Sequence, residues 1–270
     1  MSDIRLRPHH ALCAQFFEGK GYSEAFVAHM YAILSELDSG AAVTLTDGCD
    51  AICAGCPNNK DGVCETDEKV RAIDRRTIEA MGLHVSDRLP WHALSALAKY
   101  RIVAEGTLPE VCRGCEWLGL CGEAPQKNGD RETERLTENM IAWAENEMGS
   151  DRYAGWCLSF IEDAFEIGNG IEIFGGDSAK GSSELYRDAM QQGQPPRGAF
   201  VFYDCLCAGE DGPVNWGHCG IGLGDGRVIH AWDRVRVDGY LAIEEMTAVT
   251  GDRPRYIGWV PIGRVIAQKP

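Results

Sequence analysis

The stretch Gly217 to Trp232, GHCGIGLGDGRVIHAW, decides how the second half of this chain is read. Two apolar runs, Cys219 to Leu223 and Val228 to Ile229, flank a Gly-Asp-Gly turn, and each adjoins one histidine, His218 or His230. That pattern predicts a β-hairpin carrying two imidazoles. Side chains alternate between faces along a strand, so loop length decides whether those imidazoles can cooperate. A two-residue turn at Asp225-Gly226 puts them on opposite faces. A three-residue loop, Gly224-Asp225-Gly226 with Gly226 left-handed, pairs Gly220 with His230 and gathers His218, His230 and Trp232 on one face. The second register is expected, with the histidines as diagonal neighbours about 7–8 Å apart along the backbone. Cys219 then faces away from His218, into the core.

Upstream, a helix is expected from Thr133 to about Met148, its inner face marked by Leu136, Met140, Ile141 and Ala144. Gly155 breaks the chain before Cys157, which falls in the first turn of a second helix that buries Phe160, Ile161 and Ala164. The positive end of a helix and a nearby imidazolium both favour thiolate over thiol, and the thiolate is the nucleophile. A helix over Ser182–Met190 follows, then strands at Ala199–Tyr203, Val235–Ile243 and Tyr256–Ile262, with a loop from Asp204 to Trp216. Helices first and an antiparallel sheet afterwards give an α+β domain. The hairpin glycines open no helix, so they do not form a phosphate loop.

The order Cys157, PPRGAFVFY, GHCGIGLGDGRVIHA resembles the NlpC-type cell-wall endopeptidases, a bacterial branch of the papain-like cysteine peptidases, over about residues 150–265. The resemblance implies Cys157 as nucleophile, His218 as general base and His230 as the polar residue orienting His218, with the Cys157 N–H as an oxyanion donor. Those peptidases usually carry Asp-Cys-Ser-Gly at the nucleophile, where this chain has Trp156-Cys157-Leu158-Ser159. The Trp-Cys string is closer to amidase-like relatives in which an acid or amide replaces the second histidine, which makes Asp233 the reserve for the third role. The implied partner is a small peptide or amide substrate, a recycled muropeptide being the expected example.

The first half is rich in cysteine. Of 12 cysteines, eight lie between Cys13 and Cys121. One group is Cys49, Cys53, Cys56 and Cys64 in a polar loop; the other is Cys112, Cys115 and Cys121, with Cys13 after Pro8-His9-His10. A Cys-x2-Cys turn aims two thiolates at one point, and further ligands complete a tetrahedral site or a cluster corner. Eight thiols allow two four-ligand sites, a single cluster drawing on both turns, or buried free cysteines. The Cys49, Cys53, Cys56 spacing also fits the cluster loop of radical enzymes that cleave adenosylmethionine, but those need a large α/β barrel that this half is too short and too helical to supply. Helices are expected over Tyr22–Leu37 with Ser23 as cap, Asp67–Met81 and Leu89–Ala104. The strings LRPHHALC, GKGYSEAFVAHM, CAGCP and CRGCEWLGLC resemble a small uncharacterised bacterial and archaeal family suspected of binding iron-sulfur clusters, over residues 4–122. That resemblance implies Cys13, Cys53, Cys56, Cys64, Cys112, Cys115 and Cys121 as ligands of an iron-sulfur cluster, with zinc as the alternative. Cys49 is less characteristic. His9 and His10 are read as structural, and His29, His84 and His92 as solvated residues on helix faces or ends.

Composition sets the bounds. The 270 residues suffice for two domains, and 44% hydrophobic content supports real cores. With 41 acids against 26 bases, a net charge of −15 and no basic cluster, nucleic acid is not an expected partner. No apolar run approaches a membrane span, and the opening residues lack the pattern of a secretion signal, so the expected address is the cytoplasm. There, clustered cysteines favour metal or redox chemistry over disulfides. The expectation is a helical cysteine-rich metal-binding domain (1–122), a linker (123–131) and a papain-like cysteine hydrolase domain (132–270). The rival is a redox- or metal-sensing protein whose hydrolase-like domain binds a ligand without turnover.

Overall fold

A computed structural model describes residues 3–123, 129–209, 212–248 and 250–268. The chain divides into two compact units, residues 1–133 and 134–269, and both combine helices with strands in an α+β architecture. The division falls inside a helix, Gly129–Asn146, so residues 129–131 of the expected linker are helical and the helix starts before Thr133. Residues 124–128 of that linker lie outside the described residues.

In the first unit, strand β1 (Asp3–Leu6) leads into helix α1 (Pro8–Phe16), where Pro8 takes the first helical position, its missing N–H costing nothing there. Helix α2 (Glu24–Asp38) starts where Ser23 accepts a hydrogen bond from Phe26 N at 3.1 Å. Strand β2 (Ala42–Leu45) runs parallel to β1 and antiparallel to β3 (Arg88–Pro90), giving a three-stranded sheet. The sequence reading missed this sheet, because strands of three or four residues are too short to display alternation. Helix α3 (Asp67–Met81) ends at left-handed Gly82. Helix α4 (Trp91–Ala98) is buried along its whole length and continues as a wider π turn over Lys99–Val103. Leu6, Leu37, Val43, Leu94 and Leu97 are fully buried between these elements. Two of the three histidines read as solvated are not. His92 is buried in α4, and the His29 ring donates from Nε2 to the Ala51 carbonyl at 2.7 Å; only His84 is exposed.

The second unit is built on five strands, β4 (Phe200–Asp204), β5 (His218–Gly222), β6 (Arg227–Ala231), β7 (Val235–Gly239) and β8 (Arg255–Val260). They form one antiparallel sheet in the order β7-β6-β5-β4-β8. The Gly129–Asn146 helix is α5. Helix α6 (Cys157–Asn169) packs on β5 and β6 with Phe160, Ile161, Ala164 and Phe165 buried. Val201, Tyr203, Val228 and Ile243 form a core cluster in this unit with Tyr240, Met246, Tyr256 and Trp259.

Several boundaries differ from the sequence reading. Helix α7 (Ala179–Leu185) starts at Ser178, which caps it by accepting from Gly181 N, and only a short turn at Arg187–Ala189 follows. The expected loop after Asp204 contains a hairpin of Leu206–Gly209 with Gly212–Asn215. The last strand stops at Val260, and helix α8 (Ile262–Ala267) begins directly after Pro261, which has no N–H for a ladder.

The β5–β6 hairpin has the three-residue loop. Ile229 pairs with Ile221 and Val228 with Gly222, and Leu223 N donates to Arg227 O at 2.9 Å. Gly224 and Gly226 are both left-handed, at φ +86° and +85°.

Candidate functional site

Cys157 opens α6, partly exposed, where Trp156 supplies no side-chain cap. Gly155, at φ +78°, makes the break and donates its N–H to Trp232 O at 3.2 Å, which ties the start of the helix to the end of the hairpin. Hydrogen bonding from the Cys219 thiol, together with the His218 imidazole, holds the Cys157 thiol well below its ordinary range despite burial. Burial and the neighbouring Cys157 charge push the Cys219 thiol well up, so it remains protonated as the donor. This corrects the expectation for Cys219. It is buried as alternation requires, but it meets the thiol instead of turning away.

The imidazoles of His218 and His230 share a face, with His218 Nε2 and His230 Nδ1 2.8 Å apart. The other nitrogen of His230, Nε2, lies 3.2 Å from Asp238 Oδ2. Asp238 also accepts from Arg236 Nε at 2.6 Å and Nη2 at 3.1 Å. Burial alone would raise the Asp238 pKa, but Arg236 and His230 hold it below the usual carboxylate range. Burial, followed by the neighbouring His218, lowers the His230 pKa, so that ring is neutral near neutral pH. These facts fix the tautomers. A carboxylate only accepts, so His230 Nε2 carries the proton; His230 Nδ1 then accepts from His218 Nε2, and His218 Nδ1 is left for the thiol.

Asp233, the reserve for the third role, is exposed and pairs with Arg234 and Arg236 instead. The acid behind His230 is Asp238, which the sequence reading missed. Its only signal is the register of β7 on β6, where Arg236 faces His230 and Asp238 faces Val228. Gly220 lies beneath the pair: a Cβ there would come within 2.8 Å of His230 Cβ and of Ile229 O. Trp232 packs edge-on to His218 at 5.0 Å between centroids.

The first-unit cysteines form two electrostatic groups. Burial raises the Cys13 thiol well above its ordinary range, with Cys121, Cys112 and Cys115 adding to the effect. Cys112 is pushed up to about 12 by burial and by Cys115 and Cys121. In the other group, burial and then Asp50 raise Cys53, while Cys56 is raised mainly by burial and also by Cys64 and Cys49. Cys49 therefore stands with this group, although the sequence-derived ligand set omits it. Among the described residues, the one set of three or more ligand-type groups whose atoms all lie within 4.8 Å is His10, Asp50 and Cys53.

Residues 21–121 match DUF1284, a protein family of unknown function. The DUF1284 segment lies within the part of the chain that resembles an uncharacterised cysteine-rich family, and it contains every first-half cysteine except Cys13. It also leaves out His9 and His10. No curated protein matches the chain. Among the described residues, no helix is long and apolar enough to cross a membrane.

Proposed function

We propose that the second unit is a thiol hydrolase of amide bonds. The observation that carries this reading is the chain of groups from His218 through His230 to Asp238, with Cys157 at an uncapped helix start and its thiol lowered by Cys219 and His218. Cys157 Sγ attacks the amide carbonyl carbon and forms a tetrahedral oxyanion. N–H groups in the first turn of α6 face that charge, because no side chain caps them. His218 Nδ1 holds the thiol's proton and delivers it to the departing amine as the C–N bond breaks. A water, deprotonated by the same nitrogen, then attacks the thioester and frees the acid and Cys157. His230 holds the His218 ring in the required tautomer, and Asp238 does the same for His230. The order of motifs resembles the NlpC-type peptidases, which supports a small peptide or recycled muropeptide as substrate.

The test needs no substrate. Iodoacetamide at about pH 6, below the ordinary thiol range, should label Cys157 first among the cysteines, as read by peptide mass spectrometry. Uniform labelling, or a Cys157 profile centred where free thiols titrate, would remove the hydrolase reading and favour a domain that only binds.

We also propose that the first-unit thiols hold an iron-sulfur cluster. Two Cys-x2-Cys turns in one small unit support this reading, and zinc is the alternative they would equally suit. Cys13, Cys112, Cys115 and Cys121 are the set whose mutual charge effects fit such a group, and when bound it would supply one-electron chemistry or a structural crosslink. Anaerobically purified protein should contain iron and acid-labile sulfide and absorb in the visible, with the colour lost on chelation. Zinc without colour would replace the cluster, and a folded, metal-free protein would end both metal readings.

A further inference from the structure

The first unit also contains a cavity of about 350 Å³ that the thiol chemistry of the second unit does not use. His9 and His10 line it, with ring centroids 4.1 Å apart. Neighbouring side chains on a helix normally diverge, and here two buried carboxylates bring the rings together. Asp74 accepts from His9 Nδ1 at 2.6 Å and from the His9 backbone N–H at 3.2 Å. Asp50 accepts from His10 Nδ1 at 2.6 Å. Each carboxylate is fixed in turn, Asp74 by Arg7 Nε at 2.8 Å and Asp50 by Cys53 N at 2.8 Å.

A carboxylate only accepts, so each Nδ1 carries a proton, and in the neutral ring each Nε2 presents a lone pair. Among the described residues neither Nε2 has a partner. Two acceptors are thus oriented side by side on a cavity wall. Phe16, Phe17, Tyr22, Phe26, Trp117 and Leu120 supply its large apolar walls, and Tyr22 meets Phe26 and Trp117 edge-on at 5.4 Å each; Cys13, Cys115 and Cys121 also line it, so a bound molecule would lie against thiols of the proposed cluster set. Tyr22 and Leu120 stay well exposed although large and apolar. The charged lining consists of Glu18, Lys20, Lys69 and Glu116, two of each sign, with Lys69 paired to Glu116 at 2.8 Å. That balance selects for no net charge.

We propose that this cavity is a binding site for a small, uncharged, flat heteroaromatic molecule whose N–H or O–H groups donate to Nε2 of His9 and His10. Aromatic walls with a few convergent polar atoms are the usual make-up of such a site. Discrimination follows from the acceptors: a ring of the same shape without a donor leaves Nε2 desolvated and unpaired, a loss of about tenfold or more in affinity.

Indole and benzothiophene, which replaces the N–H by sulfur, are the probes. The full-length protein is titrated with each at about pH 8, with metal content matched between samples. Indole should bind saturably and at least about tenfold more tightly than benzothiophene. In uniformly ¹⁵N-labelled protein, indole should also shift the Nε2 resonances of His9 and His10. His9→Phe and His10→Phe should erase the preference, whereas Trp117→Ala should weaken both probes and keep it. Absent saturation, equal affinities, or a preference surviving both histidine changes would overturn the site. If those variants do not fold, unmoved Nε2 resonances at saturating indole in the native protein would overturn it as well.

Discussion

Replacing His218 by alanine should raise the pH at which the Cys157 thiol ionises. The midpoint of its alkylation profile should rise towards the free-thiol value of about 8.5. Cys219 remains as a hydrogen-bond donor in this variant and is the largest single influence that lowers the Cys157 pKa, so the loss of the imidazole removes one part of the stabilisation and leaves another. The direction follows from the acid concerned. A thiol is charged when deprotonated, so removing a group that stabilises the charged form raises its pKa. Rate at one pH is a poor measure, because a thiolate of higher pKa is intrinsically more nucleophilic and masks part of the loss. The full profile of the Cys157 peptide is therefore required. A midpoint that does not move would mean that His218 does not act on Cys157, and the proposed hydrolase would lose its base.

The second large effect belongs to the fold of the first unit. Arg7 is fully buried and held by Asp74 at 2.8 Å and Asp67 at 3.1 Å, with Nη2 making no hydrogen bond among the described residues. Asp74→Ala should destabilise this unit by about 3 kcal/mol, because it removes the buried partner of a buried guanidinium and leaves it only the more exposed Asp67, and losing one partner costs more than the pair contributes. Guanidinium unfolding followed by first-unit peptide exchange would read the loss. It should also depend on pH. Burial opposes the charge of Asp74, but His9 and Arg7 hold its pKa below the usual range. A carboxyl that binds its proton less readily when folded stabilises the fold fully above its unfolded value of about 3.9, and that contribution vanishes as pH falls through the folded value. The gap between the native protein and Asp74→Ala should therefore narrow in acid. A gap that is constant from neutral pH into acid would assign the effect to lost packing instead.

Much of the second unit was legible. The Gly-Asp-Gly loop fixed the hairpin register because glycine alone adopts the left-handed backbone freely, and the register put His218 beside His230. Gly155 and the apolar spacing after it located the start of α6. In the first unit, Asp67–Met81 was readable end to end from its period, and Ser23 marked the start of α2. The small β1-β2-β3 sheet was not, since its strands are too short for a period and depend on one another for pairing. His92 was misread for a related reason. Its neighbours make α4 apolar on every side, and only the surrounding elements reveal that all sides are covered.

Sequence alone determined which residues could share a strand face, where helices begin, and which cysteines fall in the same loop, because each of these depends on backbone period and local conformational preference. Tertiary structure decided the rest. It set Asp238, not Asp233, behind His230, turned Cys219 into a donor for Cys157, and clamped His9 and His10 with carboxylates from 65 and 40 residues away. Those pairings are set by how buried charges find partners across the folded chain, and no local pattern encodes them.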